Sequence, residues 1–261
     1  MAEVIKFTAT KLAGTNKVGV IKPDSDGYYT MVVGGLNAFN SVGEYYTLEG
    51  ARQLFEGSSA LMRRIKNGCL KGEPGHPKFE EVLGASKDER IQRYMQRILS
   101  IDERNTCCFF REVWLDPDYG RTHPEFKNPN LVAIMAKIKP AGPRGAALEA
   151  AFNNPGENVC FSIRALTRDY YQRGTNYRVL QNIVTWDWVT EPGLANATAF
   201  SSPALESLED KSFMLSNLEH VVNDLRKNSL ALESDRLMAM EALDAFKLSY
   251  KTPAAPVFTK W

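Results

Sequence analysis

The sequence predicts an α+β fold with mostly antiparallel strands. Segments rich in Val, Ile, Tyr, Phe and Thr, bounded by turns that contain Gly, Pro or Asp, predict strands. Between them, apolar residues recur at intervals of three and four, which predicts helices. A chain of 261 residues that intermixes the two is long enough to bury a full core.

Seven strands are predicted. The turn over residues 22–27 contains Asp-Ser-Asp-Gly, and Asp and Gly tolerate the tight dihedral angles that a turn requires. The predicted strands cover residues 4–10, 18–21, 28–33, 106–115, 131–138, 159–166 and 177–189.

Helices are predicted between these strands and after them. The first begins at Thr47, is split or kinked at Gly57 and ends at Gly68; two more cover residues 87–99 and 145–152. From residue 201 the composition favours helices, with apolar faces around Leu218 and Leu243. We therefore predict a domain at 1–200 and a helical appendage at 201–261 that ends in a flexible tail. The alternative is a helical layer packed on the main domain.

Composition excludes several classes of function. The chain has 32 basic and 31 acidic residues, so no basic excess predicts a nucleic-acid partner. No apolar run is long enough to cross a membrane, and the N-terminus lacks a signal pattern, so we expect neither a membrane partner nor export. The four cysteines lack metal-ligand spacing, which predicts buried thiols in a reducing compartment, no metal site and no cofactor.

A serine in the strand at 159–166 is the first candidate for chemistry. Alternation along a strand places Ser162 and Arg164 on the same face. A serine among apolar residues is also typical of a core hydroxyl with a hydrogen-bond partner. A serine nucleophile requires a base and a group that orients the base.

The other candidates lie upstream and downstream of Ser162. Pro74 and Pro77 flank His76 in a Gly-rich loop, which predicts a rigid, non-helical segment for this histidine. Asp187 lies in an apolar strand, where a carboxylate is costly unless it is paired; the alternative is an Asp that ends the strand. His123 also precedes a proline and is a competing base, whereas His220 falls in the appendage.

The order of these motifs over residues 60–200 resembles the phage prohead (head maturation) proteases. These are serine peptidases whose fold is similar to that of the herpesvirus assemblins, so the resemblance implies a β-barrel surrounded by helices. It implies that Ser162 is the nucleophile, His76 the base and Asp187 the orienting acid. Some relatives have Glu at the third position, and the assemblins have a second histidine. Arg164 matches an arginine that positions the groups stabilising the oxyanion.

The resemblance implies an endopeptidase that processes scaffold and capsid proteins inside the prohead, in the host cytoplasm. Relatives cleave after a Glu residue when a small or aliphatic residue stands two positions before it. The sequence Ala-Leu-Glu-Ser-Leu-Glu at 204–209 therefore predicts self-cleavage after Glu206 or Glu209. The alternatives to this function are a non-catalytic scaffold or structural protein with the same fold and an unrelated α+β hydrolase. The sequence leaves open whether the chain forms a homodimer.

Overall fold

The computed structural model describes residues 4–13, 22–40, 43–154, 156–190 and 211–251, and within them the chain is an α+β fold, as predicted. Ten strands form two sheets among these residues. The six-stranded sheet has the order β10-β1-β8-β9-β4-β3, and the four-stranded sheet has the order β2-β7-β6-β5. The strands are β1 (Val4–Ala13), β2 (Tyr29–Leu36), β3 (Ala38–Phe39), β4 (Tyr45–Tyr46), β5 (Lys71–Gly72), β6 (Cys108–Asp116), β7 (Val132–Pro140), β8 (Cys160–Gln172), β9 (Thr175–Val189) and β10 (Lys211–Met214).

Seven α-helices occur in the same described ranges. The predicted helix from Thr47 is split, with Gly57 in the gap, and the predictions at 87–99 and 145–152 are confirmed to within a residue. The helices are α1 (Leu48–Leu54), α2 (Ala60–Lys66), α3 (Lys87–Leu99), α4 (Tyr119–Thr122), α5 (Gly145–Asn153), α6 (Leu215–Lys227) and α7 (Glu233–Lys251).

The main core lies between the two sheets. Phe110 of β6 meets Phe161 of β8 edge to face, with ring centroids 5.9 Å apart, and lies 5.7 Å from the ring of Trp186 on β9. All three side chains are fully buried. Large aromatic residues bury the most apolar surface per residue, so this contact is a main source of stability between the sheets. Two separate sheets do not confirm the closed barrel that the resemblance implies.

The other face of the six-stranded sheet is covered by helices. Leu166 of β8 and Val184 of β9 share a second apolar cluster with buried residues of α3, α6 and α7. Within the cluster, Phe246 of α7 is fully buried. The C-terminal helices therefore pack on the sheet as a layer, which is one of the two arrangements that the sequence left open.

The C-terminal region also adds an unpredicted strand. β10 pairs antiparallel with β1, with Phe213 opposite Ile5, at the edge of the six-stranded sheet. The predicted domain boundary at 200/201, the strand at 18–21 and the tail after 251 lie outside the described residues, so these stay predictions. No helix in the described part of the chain is long and apolar enough to cross a membrane.

Candidate active site

Two of the predicted site residues face each other across the hairpin of β8 and β9. Ser162 and Asp187 are paired in the antiparallel register, so their side chains lie on the same face of the sheet. Arg164, two residues after Ser162, lies on that face too. All three side chains are fully buried. This end of the hairpin therefore carries a hydroxyl, a carboxylate and a guanidinium within a small volume.

The loop with His76 is held against β9 by glycines and by backbone hydrogen bonds. At Gly72 a Cβ atom would collide with the Trp186 carbonyl oxygen, so the missing side chain allows the loop backbone to approach β9. The Trp188 N–H donates to the Glu73 carbonyl at 2.8 Å, and the Gly75 N–H donates to the Trp188 carbonyl at 2.6 Å. Gly75 has φ of +74°, a conformation that favours glycine. The loop thus runs parallel to β9 and places His76 next to Asp187.

His76 connects Ser162 to Asp187. Its Nε2 lies 2.7 Å from Ser162 Oγ, and its Nδ1 lies 2.7 Å from Asp187 Oδ2. Both contacts are satisfied by a neutral imidazole with its proton on Nδ1, which donates to Asp187, while the Ser162 hydroxyl donates to Nε2. The His76 side chain is 13% exposed, so one edge of the arrangement is open to solvent.

The Asp187 carboxylate is stabilised as an anion although it is buried. Burial raises the pKa of Asp187, but the positive charge of Arg164 and the hydrogen bonds from His76 and Arg164 outweigh burial, so the net pKa is lowered. Arg164 Nε donates to Asp187 Oδ2 at 2.8 Å, and its Nη2 donates to Oδ1 at 2.6 Å. Asp187 is therefore a charged acceptor for His76 at neutral pH. Chemically, the arrangement can deprotonate a serine hydroxyl and stabilise the imidazolium that results.

Comparisons with known proteins identify the family. Residues 7–250 match the model of the peptidase S80 family. The chain belongs to the peptidase S80 family. Over 204 residues it is 37% identical to the capsid maturation protease of Pseudomonas phage phiKZ, which covers 78% of this chain and 72% of that protein. The resemblance to phage head maturation proteases is thereby confirmed.

A solved structure is also similar to this S80 family member. It is the bacteriophage T4 capsid assembly protease, with a TM-score of 0.45 and 13% sequence identity. The match covers 71% of this chain and 98% of that chain.

Arg164 in this S80 peptidase lies behind Asp187. Besides its two hydrogen bonds to Asp187, its Nη1 donates to the Ser100 carbonyl at 2.9 Å, and its Nη2 lies 3.2 Å from Glu73 Oε1. Burial lowers the pKa of Arg164, but the carboxylates of Asp187 and Glu73 raise it by more. These contacts orient the third member of the arrangement. A role of Arg164 near the oxyanion stays a prediction.

Glu73 is a site residue that sequence reasoning missed. Its side chain is fully buried, and its carboxylate accepts hydrogen bonds from Arg97 of α3 and from the Asp102 N–H. Only part of the signal was present in the sequence. An arginine in an apolar strand needs a buried carboxylate, and Glu73 stands in the same Gly-rich loop as His76.

Two other histidines and a cysteine were possible participants. His123 stacks on Tyr119 with ring centroids 3.9 Å apart, and its Nδ1 lies 3.0 Å from the Tyr119 carbonyl, within its own segment. His220 is exposed on α6. Burial raises the pKa of the Cys108 thiol, and Cys107 raises it further, so this thiol is protonated at neutral pH and is a poor nucleophile. Of the three histidines, His76 makes the contact to Ser162.

Proposed function

We propose that this member of the peptidase S80 family is a serine endopeptidase with Ser162 as nucleophile, His76 as base and Asp187 as orienting acid. The observation that carries the proposal is the pair of 2.7 Å contacts through which His76 bridges the other two residues. A nucleophile, a base and an orienting group in this order are the parts that acyl transfer by serine requires.

The reaction proceeds in two stages. Ser162 Oγ attacks the carbonyl carbon of the scissile bond while its proton passes to His76 Nε2, and the negative charge of Asp187 stabilises the imidazolium. His76 then donates that proton to the leaving amine as the C–N bond breaks, which leaves an acyl group on Ser162. In the second stage a water gives a proton to His76 and attacks the acyl carbon. His76 then returns this proton to Ser162 Oγ as the ester C–O bond breaks, which releases the new carboxyl terminus.

We infer that the substrates are scaffold and capsid proteins within the prohead. The support is the 37% identity to a protein named for capsid maturation. The proposal also includes a barrel similar to that of the assemblins and a homodimer.

The chain is also proposed to cleave itself after Glu206 or Glu209, which lie outside the described residues. Three further glutamates match the same pattern, but Glu149 lies within α5, and Glu233 and Glu241 lie within α7. A protease cleft accepts an extended chain, so cleavage at these three would require a helix to unwind. The tandem at 204–209 is therefore the preferred site. Its cleavage breaks the covalent link to the C-terminal helices, which pack on the six-stranded sheet.

Mass spectrometry of purified protein, with and without Ser162→Ala, tests the proposal. We expect the parent to yield a fragment that begins at Ser207 or Asp210, and the variant to stay intact. A chelator serves as a control and should leave the fragments unchanged, because the sequence lacks metal-ligand spacing. Fragments that begin only at Ala150 would contradict the assigned cleavage site. Equal fragmentation of the Ser162→Ala variant would exclude Ser162 as the nucleophile.

A further inference from the structure

A buried chain of charges continues from Asp187 to the surface of α3. Arg164 lies between the carboxylates of Asp187 and Glu73, and its Nη2 is 2.6 Å from Asp187 Oδ1 and 3.2 Å from Glu73 Oε1. Arg97 of α3 follows as the outermost member, with its side chain 30% exposed. The three inner members are completely buried. Positive and negative groups thus alternate from the base to the solvent.

The end of α3 holds Glu73 by several independent contacts. Arg97 Nη1 donates to Glu73 Oε1 at 3.1 Å, and Nη2 donates to Oε2, so the pair is bidentate. The Asp102 N–H donates to Oε1 at 3.0 Å. The Ser100 carbonyl accepts from both Arg97 and Arg164. A carboxylate with this many donors has a single well-defined position.

The charges of the three buried residues, Asp187, Arg164 and Glu73, give Glu73 a specific effect on His76. The positive charge of Arg164 lies against Asp187 and opposes protonation of His76, whereas the negative charge of Glu73 offsets it. With Glu73 the three buried groups carry a net charge of −1, and protonation of His76 brings the total to zero. Arg97 is partly exposed, so water screens its charge more strongly than the buried charges.

We propose that Glu73 is a positioning residue for the nucleophile–base pair: its carboxylate holds the Arg164 guanidinium in place and offsets its charge, so that Asp187 stabilises the imidazolium form of His76. This inference rests on the proposed function. Glu73 acts through Arg164 and Asp187 and does not contact the reacting atoms.

Other charged or titratable groups face this region and must be constant in a test. Cys108 of β6 is close enough to Asp187 to interact electrostatically with it. Asp102 follows α3, and its N–H donates to Glu73. None of these is changed in the variants below.

The test follows the protonation of His76 by NMR in full-length protein labelled on histidine. The Ser162→Ala background prevents self-cleavage, and the chain has only three histidines, which His123→Gln and His220→Gln assign. Glu73→Gln keeps the shape and acceptor oxygen of the side chain but removes its charge. We expect the midpoint of His76 protonation to move to lower pH by about half a unit to one unit. This shift is smaller than the removal of a charge in direct contact with His76 would cause.

Arg97→Gln is the matched variant with the opposite sign. It removes a positive charge from the same chain, so the His76 midpoint should move to higher pH, by a smaller amount that decreases further at high salt. Loss of packing alone cannot produce opposite shifts in two variants of one contact. In the active background, Glu73→Gln should lower kcat about tenfold with KM nearly unchanged, because a misplaced base affects the chemical step.

An unmoved His76 midpoint in folded Glu73→Gln, with the His123 titration unchanged as internal control, would overturn the proposal. If Glu73→Gln does not fold, Arg97→Gln decides alone: an upward shift supports the proposal, and no shift or a downward shift overturns it. The NMR readout uses inert protein. Failure of the proposed serine chemistry would therefore appear separately, as absence of cleavage by the parent.

Discussion

Two arginines on the β8–β9 hairpin are fully buried, yet their surroundings differ in chemistry. Arg164 lies near the end of the hairpin that joins the His76 loop, and Arg178 lies near the turn between the two strands. Each has a close carboxylate, with Asp187 at 2.6 Å from Arg164 and Glu44 at 2.6 Å from Arg178. Burial and ion pairing alone do not separate the two sites.

The neighbours of Arg178 belong to the framework. Besides Glu44, its guanidinium lies 3.6 Å from Asp169 and 6.0 Å from the centre of the Tyr46 ring. Its backbone carbonyl accepts from the Thr47 N–H at 3.0 Å. These contacts fasten the short strands β3 and β4 to the beginning of β9, which is a structural task.

The neighbours of Arg164 include a group that can exchange a proton with a nucleophile. Asp187 accepts from His76, and His76 contacts Ser162 Oγ at 2.7 Å. The comparison teaches that a buried arginine–carboxylate pair indicates function only when the carboxylate also orients a base beside a nucleophile.

Removal of the nucleophile or the base should have the largest effect. Ser162→Ala and His76→Ala should each lower the rate of cleavage by on the order of 10⁶ in a well-assembled triad. The assay follows hydrolysis of a synthetic peptide of residues 200–213. The matched control is His123→Ala, which should keep parental activity. Full activity of His76→Ala with loss in His123→Ala would transfer the role of base to His123.

Asp187→Asn should cost less, about 10⁴ in kcat, because the amide no longer favours the productive tautomer of His76 or its protonated form. Asp169→Asn makes the same chemical change beside Arg178 and should leave kcat unchanged. Steady-state kinetics of both variants on the same peptide measure the difference. Equal losses in the two variants would mean that the two ends of the hairpin do not differ as described.

Substitution of the two arginines should distinguish an effect on stability from an effect on activity. Arg164→Met and Arg178→Met each leave a carboxylate without its main partner, which costs about 3–5 kcal/mol of folding free energy for a buried pair. Only Arg164→Met should also lower kcat per folded molecule, by about 10²-fold, because Asp187 loses its fixed position. Urea unfolding and peptide kinetics below the unfolding temperature measure the two quantities. Parental activity of folded Arg164→Met would contradict a role of Arg164 in fixing Asp187.

The pH dependence of stability should show the smallest effect. The pKa of Asp187 is lowered in the folded state, because the Arg164 charge and the hydrogen bonds outweigh burial. Its contribution is therefore present above the unfolded pKa, about 3.9 for Asp, and is lost as the pH falls through the folded value. We expect the free energy of unfolding to fall below about pH 4 and to fall less in Asp187→Asn. Urea unfolding of the parent and of Asp187→Asn at pH 7 and pH 3 checks this. An equal fall in the free energy of unfolding of the two proteins would contradict it.

Much of the fold could be predicted because the pattern of each element is local. The helix at 87–99 begins after Ser86, whose side chain accepts from the Glu89 N–H, and its buried face follows helical spacing. β10 was missed because its four residues have no strand pattern and are held only by pairing with β1, some 200 residues away in sequence. That pairing has no trace in the local sequence.

The candidate site was predictable only in part, for the same reason. Ser162, His76 and Asp187 stand in recognisable local contexts, and His76 lies 2.7 Å from each of the other two. Glu73 was missed because its importance comes from Arg97 and Arg164, which belong to a helix and a strand elsewhere in the chain. The sequence shows the separate groups, whereas the packing of α3 against the loop decides which of them interact.

Covalent labelling of the nucleophile tests the central claim most directly. The protein is treated with a fluorophosphonate, which reacts with activated serines, and its peptides are examined by mass spectrometry. We predict that the added mass is on Ser162, that Ser162→Ala is unlabelled, and that His76→Ala reacts far more slowly than the parent. Label on another residue, or cleavage that persists when Ser162 is fully labelled, would contradict the assignment of Ser162 as the nucleophile.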